Sequence, residues 1–213
     1  MLPKLAFPAR PAPYIVTAAS PSILSEAQGL THKTLLIFQD LDATKSAPAG
    51  GKYQVADAVA KIVIHDVSDL NITICKGVVT TLEVHNATNL KLRLDDSTEQ
   101  QEDQAASSTG IKRAAAYGTV TLDPHLDNVS LDFEKPSVIG SVIVTSPTSA
   151  AKERTLRQVS LSIGDEHIHH VQDSLDPCAQ TGQDGQTHLY FDEGAWHTKG
   201  LTRREKDYPS LTR

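Results

Sequence analysis

The chain has 213 residues and a mass of 23.0 kDa, enough for one substantial domain whose core needs no disulfide support. Hydrophobic residues make up 39%, aromatic residues 5% and charged residues 22%, so the core must be filled mainly by Val, Ile and Leu, and the composition is too aliphatic for a disordered chain. A formal net charge of −6 and a pI near 5.8 count against the basic surface that nucleic-acid binding requires.

In chain order, residues 1–21 are rich in Pro and Ala, with Lys4 and Arg10 and no acid before Glu26. Pro3, Pro8, Pro11, Pro13 and Pro21 break the amphipathic helix that an organelle presequence needs, and there is no apolar signal region. An intracellular protein is expected. Ser22 through Gln28 reads as a short helical segment stopped by Gly29, Thr34 through Phe38 as a strand, and residues 47–51 as a linker. Residues 1–50 are therefore expected to form an extended Pro-rich arm.

From Lys52 onward, period-two alternation recurs: Leu70, Ile72 and Ile74; Leu82 and Val84; Leu90, Leu92 and Leu94; Val129, Leu131 and Phe133; Val159, Leu161 and Ile163. Alternation with β-branched residues predicts strands with one buried face, and helical spacing is largely missing. The strands also repeat as blocks. Ile64-His-Asp-Val-Ser-Asp-Leu-Asn-Ile-Thr-Ile74 aligns with Val84-His-Asn-Ala-Thr-Asn-Leu-Lys-Leu-Arg-Leu94, which places Asp69 and Asn89 20 positions apart. A third copy, Leu122 to Phe133, places Asn128 another 39 positions on. That spacing fits either two periods or one period plus the polar insert 95–110, which is expected to be a loop. Asp and Asn suit the corners because they tolerate left-handed backbone and bond nearby peptide groups. A period near 20 residues with such corners predicts a solenoid; a Greek-key sandwich is the alternative. Asn71, Thr73, Lys91 and Arg93 are expected to point outward.

Gly51-Lys-Tyr-Gln-Val55, then Ala60-Lys-Ile-Val-Ile-His65, then Ile72 to Val84 resemble the opening of the C-terminal domain of cyclase-associated proteins, with Lys76, Val78, Thr80, Thr81, Leu82 and Val84 matching a Lys-x-Val-x-Thr-Thr-Leu-x-Ile/Val segment. Gly118-Thr-Val-Thr-Leu-Asp123 and Ser141-Val-Ile-Val-Thr-Ser146 are similar to later rungs of the family. The likeness spans Gly51 to Ile163, roughly half of the 213 residues. It implies a right-handed parallel β-helix, shared with tubulin-folding cofactor C, over residues 51–172, with irregular arms at 1–50 and 173–213. It also implies a non-catalytic cytoskeletal binding module. Relatives bind monomeric actin, promote its nucleotide exchange, and dimerise through C-terminal strands. Residues 173–213 do not resemble those strands, no stretch corresponds to the family's N-terminal helical domain, and Leu30-Thr-His-Lys-Thr34 is a poor echo of the Leu-Lys-Lys-Thr actin motif. In the cofactor C branch, an Arg within Gln-x-Arg-x-His is thought to act on a G protein, where it would stabilise charge on the transferred phosphate. Lys91-Leu-Arg93-Leu and Leu156-Arg-Gln158 lack the flanking Gln and His.

His167-Ile-His169-His170 places two imidazoles on one strand face, a spacing that can chelate zinc, but no third ligand has recognisable spacing, so a surface strand edge without metal is expected. Cys75 and Cys178 sit in no paired motif, and disulfide or zinc chemistry is not expected of them. Asn71-Ile-Thr73, Asn86-Ala-Thr88 and Asn128-Val-Ser130 fit the glycosylation pattern and are explained by rung corners and their adjoining strands. There is no phosphate-binding glycine loop and no recognisable nucleophile set; neither an enzyme nor a cofactor is expected. Tyr190, Phe191 and Trp196 concentrate aromatics in the tail, which ties down on its own domain or on a partner. The binding residues expected are His85, Lys91 and Arg93 on the rungs, with Tyr190, Phe191 and Trp196. The function expected is a structural interaction module of a cytoplasmic cytoskeletal complex, tubulin-based or axonemal, with actin-monomer binding or GTPase activation as alternatives. Neither a nucleic-acid partner nor a membrane span is expected.

Overall fold

The computed structural model describes residues 12–31, 34–45, 51–75, 79–95, 117–123, 125–145, 156–171 and 186–201. Among them there is no α-helix, and the regular structure is strand apart from short 3-10 segments, which include Glu26–Gln28 and Pro136–Val138. The strands are β1 (Tyr14–Val16), β2 (Ile23–Leu24), β3 (Leu35–Asp42), β4 (Lys52–Val55), β5 (Lys61–Ser68), β6 (Asn71–Ile74), β7 (Val79–Leu94), β8 (Tyr117–Leu122), β9 (Leu126–Phe133), β10 (Ile139–Thr145), β11 (Leu156–Ile163), β12 (Glu166–His170), β13 (Gln186–Asp192) and β14 (Ala195–Leu201). The protein is all-β, and its sheet is mostly parallel: every pairing is parallel except β10–β13, β11–β12 and β13–β14.

The alternation in sequence produces this arrangement directly. Side chains two apart face the same way, so strands of matched register lay like residues over like. In a first ladder, β1, β3, β5, the start of β7, β8 and β10 place Leu36, Ile62, Leu82, Val120 and Val142 in one row, all buried. A second ladder of β2, β4, β6, the end of β7, β9 and β11 places Tyr53, Ile72, Leu92, Leu131 and Leu161 in another. The buried side chains of both ladders form one core cluster. Each fully buried Leu or Ile contributes about 1.5–3 kcal/mol, so long rows outweigh the cost of closing non-local pairs.

The two ladders meet through strands that bend. β7 pairs with β5 and β8 at its start and with β6 and β9 at its end. Between these halves stand Asn86 and Asn89, with φ of 44° and 52°. Asp66 and Asp69, one repeat earlier, have φ of 54° and 58°. The Asx corners read from the sequence are therefore left-handed turning points. β9 lies directly on β7, Leu90 opposite Val129, so the longer spacing to Asn128 is one repeat plus an insertion. Asp95 accepts from Arg93 at 2.8 Å; the remainder of the loop expected over 95–110 lies outside the described residues, as do Cys178, Lys76 and Val78.

Two boundaries differ from expectation. The stretch expected to be an arm joins the sheet: β3 runs parallel to β5, with Leu36 opposite Ile62 and Phe38 opposite Ile64. The short helical segment there is a 3-10 turn, Glu26–Gln28, in which the Ser25 amide donates to Gln28 Oε1 at 2.5 Å and Gly29 ends the turn at φ 81°. The stretch expected to be an irregular tail contains the antiparallel hairpin β13–β14, and β13 pairs with β10. Antiparallel closure gives the last parallel strand of the first ladder a hydrogen-bonded neighbour, so this edge of the ladder is not left bare.

Candidate interaction surfaces

The corners carry polar side chains in columns. Asn89 Nδ2 donates to Asp69 Oδ1 at 2.9 Å, and Asn128 Nδ2 donates to Asn89 Oδ1 at 2.8 Å. Asn86 Nδ2 donates likewise to Asp66 Oδ1. The amides of two of the three glycosylation-type triplets, Asn86 and Asn128, are thus engaged in the corner columns.

The outer surface of the first ladder holds His85, 34% exposed, directly opposite His65 in register. His85 Nδ1 lies 2.5 Å from Asp123 Oδ2 and its Nε2 3.7 Å from Glu83 Oε2, while Lys61 Nζ lies 2.8 Å from Glu83 Oε1. His65 lies 3.0 Å from Asp66, and its bond, with that from Asn86, holds the Asp66 carboxyl below the ordinary carboxylate range. Beside this row a groove of about 470 Å³ is lined by Asp40, Asp42, Lys45, Asp66, Asn86 and Thr88. Lys45 pairs with Asp42 at 2.7 Å and, with Thr44, keeps that carboxyl far below its usual range.

Lys91 and Arg93 lie elsewhere, on the outside of the second ladder. Lys91 stands between Asn71 and Ser130, and Arg93 between Thr73 and Asp132. Arg93 Nε is 2.8 Å from Asp95 Oδ1, and Asp95, then Asp132 and Asp165, hold the guanidinium proton more firmly. With Arg93 more than half exposed, such a pair adds little stability. Arg93 also borders a groove of about 650 Å³ with Lys52, Gln54, Asn71, Thr73 and Cys75.

The tail aromatics divide. Trp196 and Phe191 pack against the core, with the Trp196 ring 6.2 Å from Phe133 and 5.5 Å from Phe191. Trp196 Nε1 donates to the His167 carbonyl at 2.8 Å. Tyr190 faces the other way and stacks on His197 with ring centroids 5.3 Å apart. His85, the Lys91/Arg93 pair and the tail aromatics therefore occupy separate places and form no single site. The His167 and His169 rings lie over Phe191 and Trp196, at 5.3 and 6.0 Å, and among the described residues no group of three or more His, Cys, Asp or Glu could hold a metal ion.

The corner groove escaped the reading of the sequence. Its signal was present, because Gln39-Asp40 occupies the register of His65-Asp66 and His85-Asn86, but it lay in the stretch read as an arm. No helix of the described residues is long and apolar enough to cross a membrane. In comparisons with known proteins, no family model, curated protein or solved structure matches the chain.

Proposed function

We propose that the chain is a right-handed parallel β-helix of the type found in cyclase-associated proteins and cofactor C, acting as a non-enzymatic docking module in a tubulin-based or axonemal assembly of the cytoplasm. The observation that carries this reading is the in-register stacking of repeats whose Asx corners, Asp69, Asn89 and Asn128, fall in one bonded column. Rungs stacked in this way present broad, rigid outer surfaces suited to a protein partner. The motif resemblance from Gly51 onward directs the reading to the cytoskeleton.

The test is affinity purification from native extract with the full chain as bait, followed by mass spectrometry. Tubulin and a fixed, salt-resistant set of structural proteins are expected. Actin and its regulators as dominant prey would move the function to nucleotide exchange, and a GTPase accelerated by the purified chain would move it to the cofactor C activity.

A further inference from the structure

A strand surface that faces water carries mostly polar residues at its outward positions. The outside of the second ladder does so from β4 onward: Gln54, Thr73, Arg93, Asp132 and Ser162 share one outward row, headed by a single exposed apolar residue, Ile23 on β2. The outside of the first ladder departs from the rule at its N-terminal end. Ile15, Ile37 and Val63 stand in register in one outward row, with Ile15 51% exposed and Leu35 in the neighbouring row. The row turns polar at Glu83, opposite Val63, and at Thr121, which separate these three from Ile143 on β10. Three β-branched side chains in one outward row are a continuous apolar stripe rather than scattered surface hydrophobes.

Chemistry beside the stripe selects its occupant. Asp40 follows Ile37 by three residues on β3, which places the corner groove with Asp40 and Asp66 about 10 Å from the stripe. The rows rise by about 4.8 Å, so Ile15 to Val63 spans about 10 Å along the stack. Helical residues at i, i+3 or i+4, and i+7 advance by about 5 and 10 Å, matching those rows. We propose that the outer surface of β1, β3 and β5 is a docking site for a cationic amphipathic helix of a partner protein, its apolar residues on Ile15, Ile37 and Val63 and its Lys or Arg side chains toward Asp40 and Asp66. The inference rests on the docking-module reading and supplies the chemistry of the partner.

A synthetic helix with Leu at i, i+4 and i+7 and Lys at the other positions, titrated into the isotopically labelled full chain, tests it separately from any cytoskeletal partner. Amide shifts are expected along β1, β3 and β5 and at Asp40. Ile15→Asp, at a half-exposed edge position, should weaken binding by at least about tenfold, and Asp40→Asn should weaken it several-fold at low salt with less effect at high salt. The same helix with Glu in place of Lys should not bind. Equal binding of both helices, shifts elsewhere on the molecule, or undiminished affinity in Ile15→Asp would overturn the proposal. Concentration-dependent self-association through these rows would do so too, by assigning the stripe to a second copy. Failure here with tubulin still captured would remove this site and leave the function standing.

Discussion

Asn89 has to satisfy two demands at once: a backbone φ of 52° and a place in a column where it donates to Asp69 and accepts from Asn128. Gly can meet the first demand and Ala neither. Asn89→Ala is expected to destabilise the fold by roughly 1–2 kcal/mol and Asn89→Gly by less, as read by urea denaturation; equal losses would mean that the left-handed turn carries no cost. Asp66 gives a dependence on pH. Its folded carboxyl is held below the ordinary value by His65 and Asn86, so the stabilisation is present above the unfolded pKa of about 3.9 and is lost as pH falls through the lowered folded value. Asp66→Asn should flatten the fall of stability with acidification in that window. Corners filled by Asp and Asn were legible because those residues turn left-handed readily. His125 and Gln158, with φ of 76° and 50°, also turn left-handed and carry no such signature, which is why the sequence alone does not reveal them.

Among the elements, the buried halves of the strands were the most legible, since alternation reports one face directly. The stretch before Lys52 reads as an arm although β3 joins the sheet there, and the reason is physical. Its prolines and the Gly50-Gly51 pair resemble a linker, yet Gly51 at φ 67° is buried, with a Cβ there set to overlap the Asp69 carbonyl and Ala43. It is a tight turn inside the stack rather than a boundary. Gly140 makes a second close approach: a Cβ would collide with the carbonyl oxygens of Tyr117 and Gly118 on β8. Gly140→Ala is therefore expected to disturb the β8–β10 pairing and cost about 2–3 kcal/mol, visible as faster amide exchange along Val142 to Val144; unchanged exchange would show that the strands can part without loss. The hairpin β13–β14 was hidden because its aromatics serve two environments, Trp196 and Phe191 on the core and Tyr190 outside.

For the whole molecule, the decisive feature is parallel stacking in register. The repeat of 20 residues between Asp66 and Asn86 and between Asp69 and Asn89 made the stacking legible, while the insertion before β8 blurred the next repeat until the pairing of β7 with β9 resolved it. The outward stripe on β1, β3 and β5 was not legible, because a period-two pattern with apolar residues at both phases marks a strand without saying which face meets water. Both the proposed docking site and the β-helix reading depend on the first ladder being parallel. Interstrand nuclear Overhauser contacts in the labelled full chain test that most directly. Amide and α-proton contacts of parallel type are predicted between Ile62 and Leu82 and between Ile64 and Val84; close α-proton pairs between β5 and β7, the mark of an antiparallel Greek-key sandwich, would contradict it.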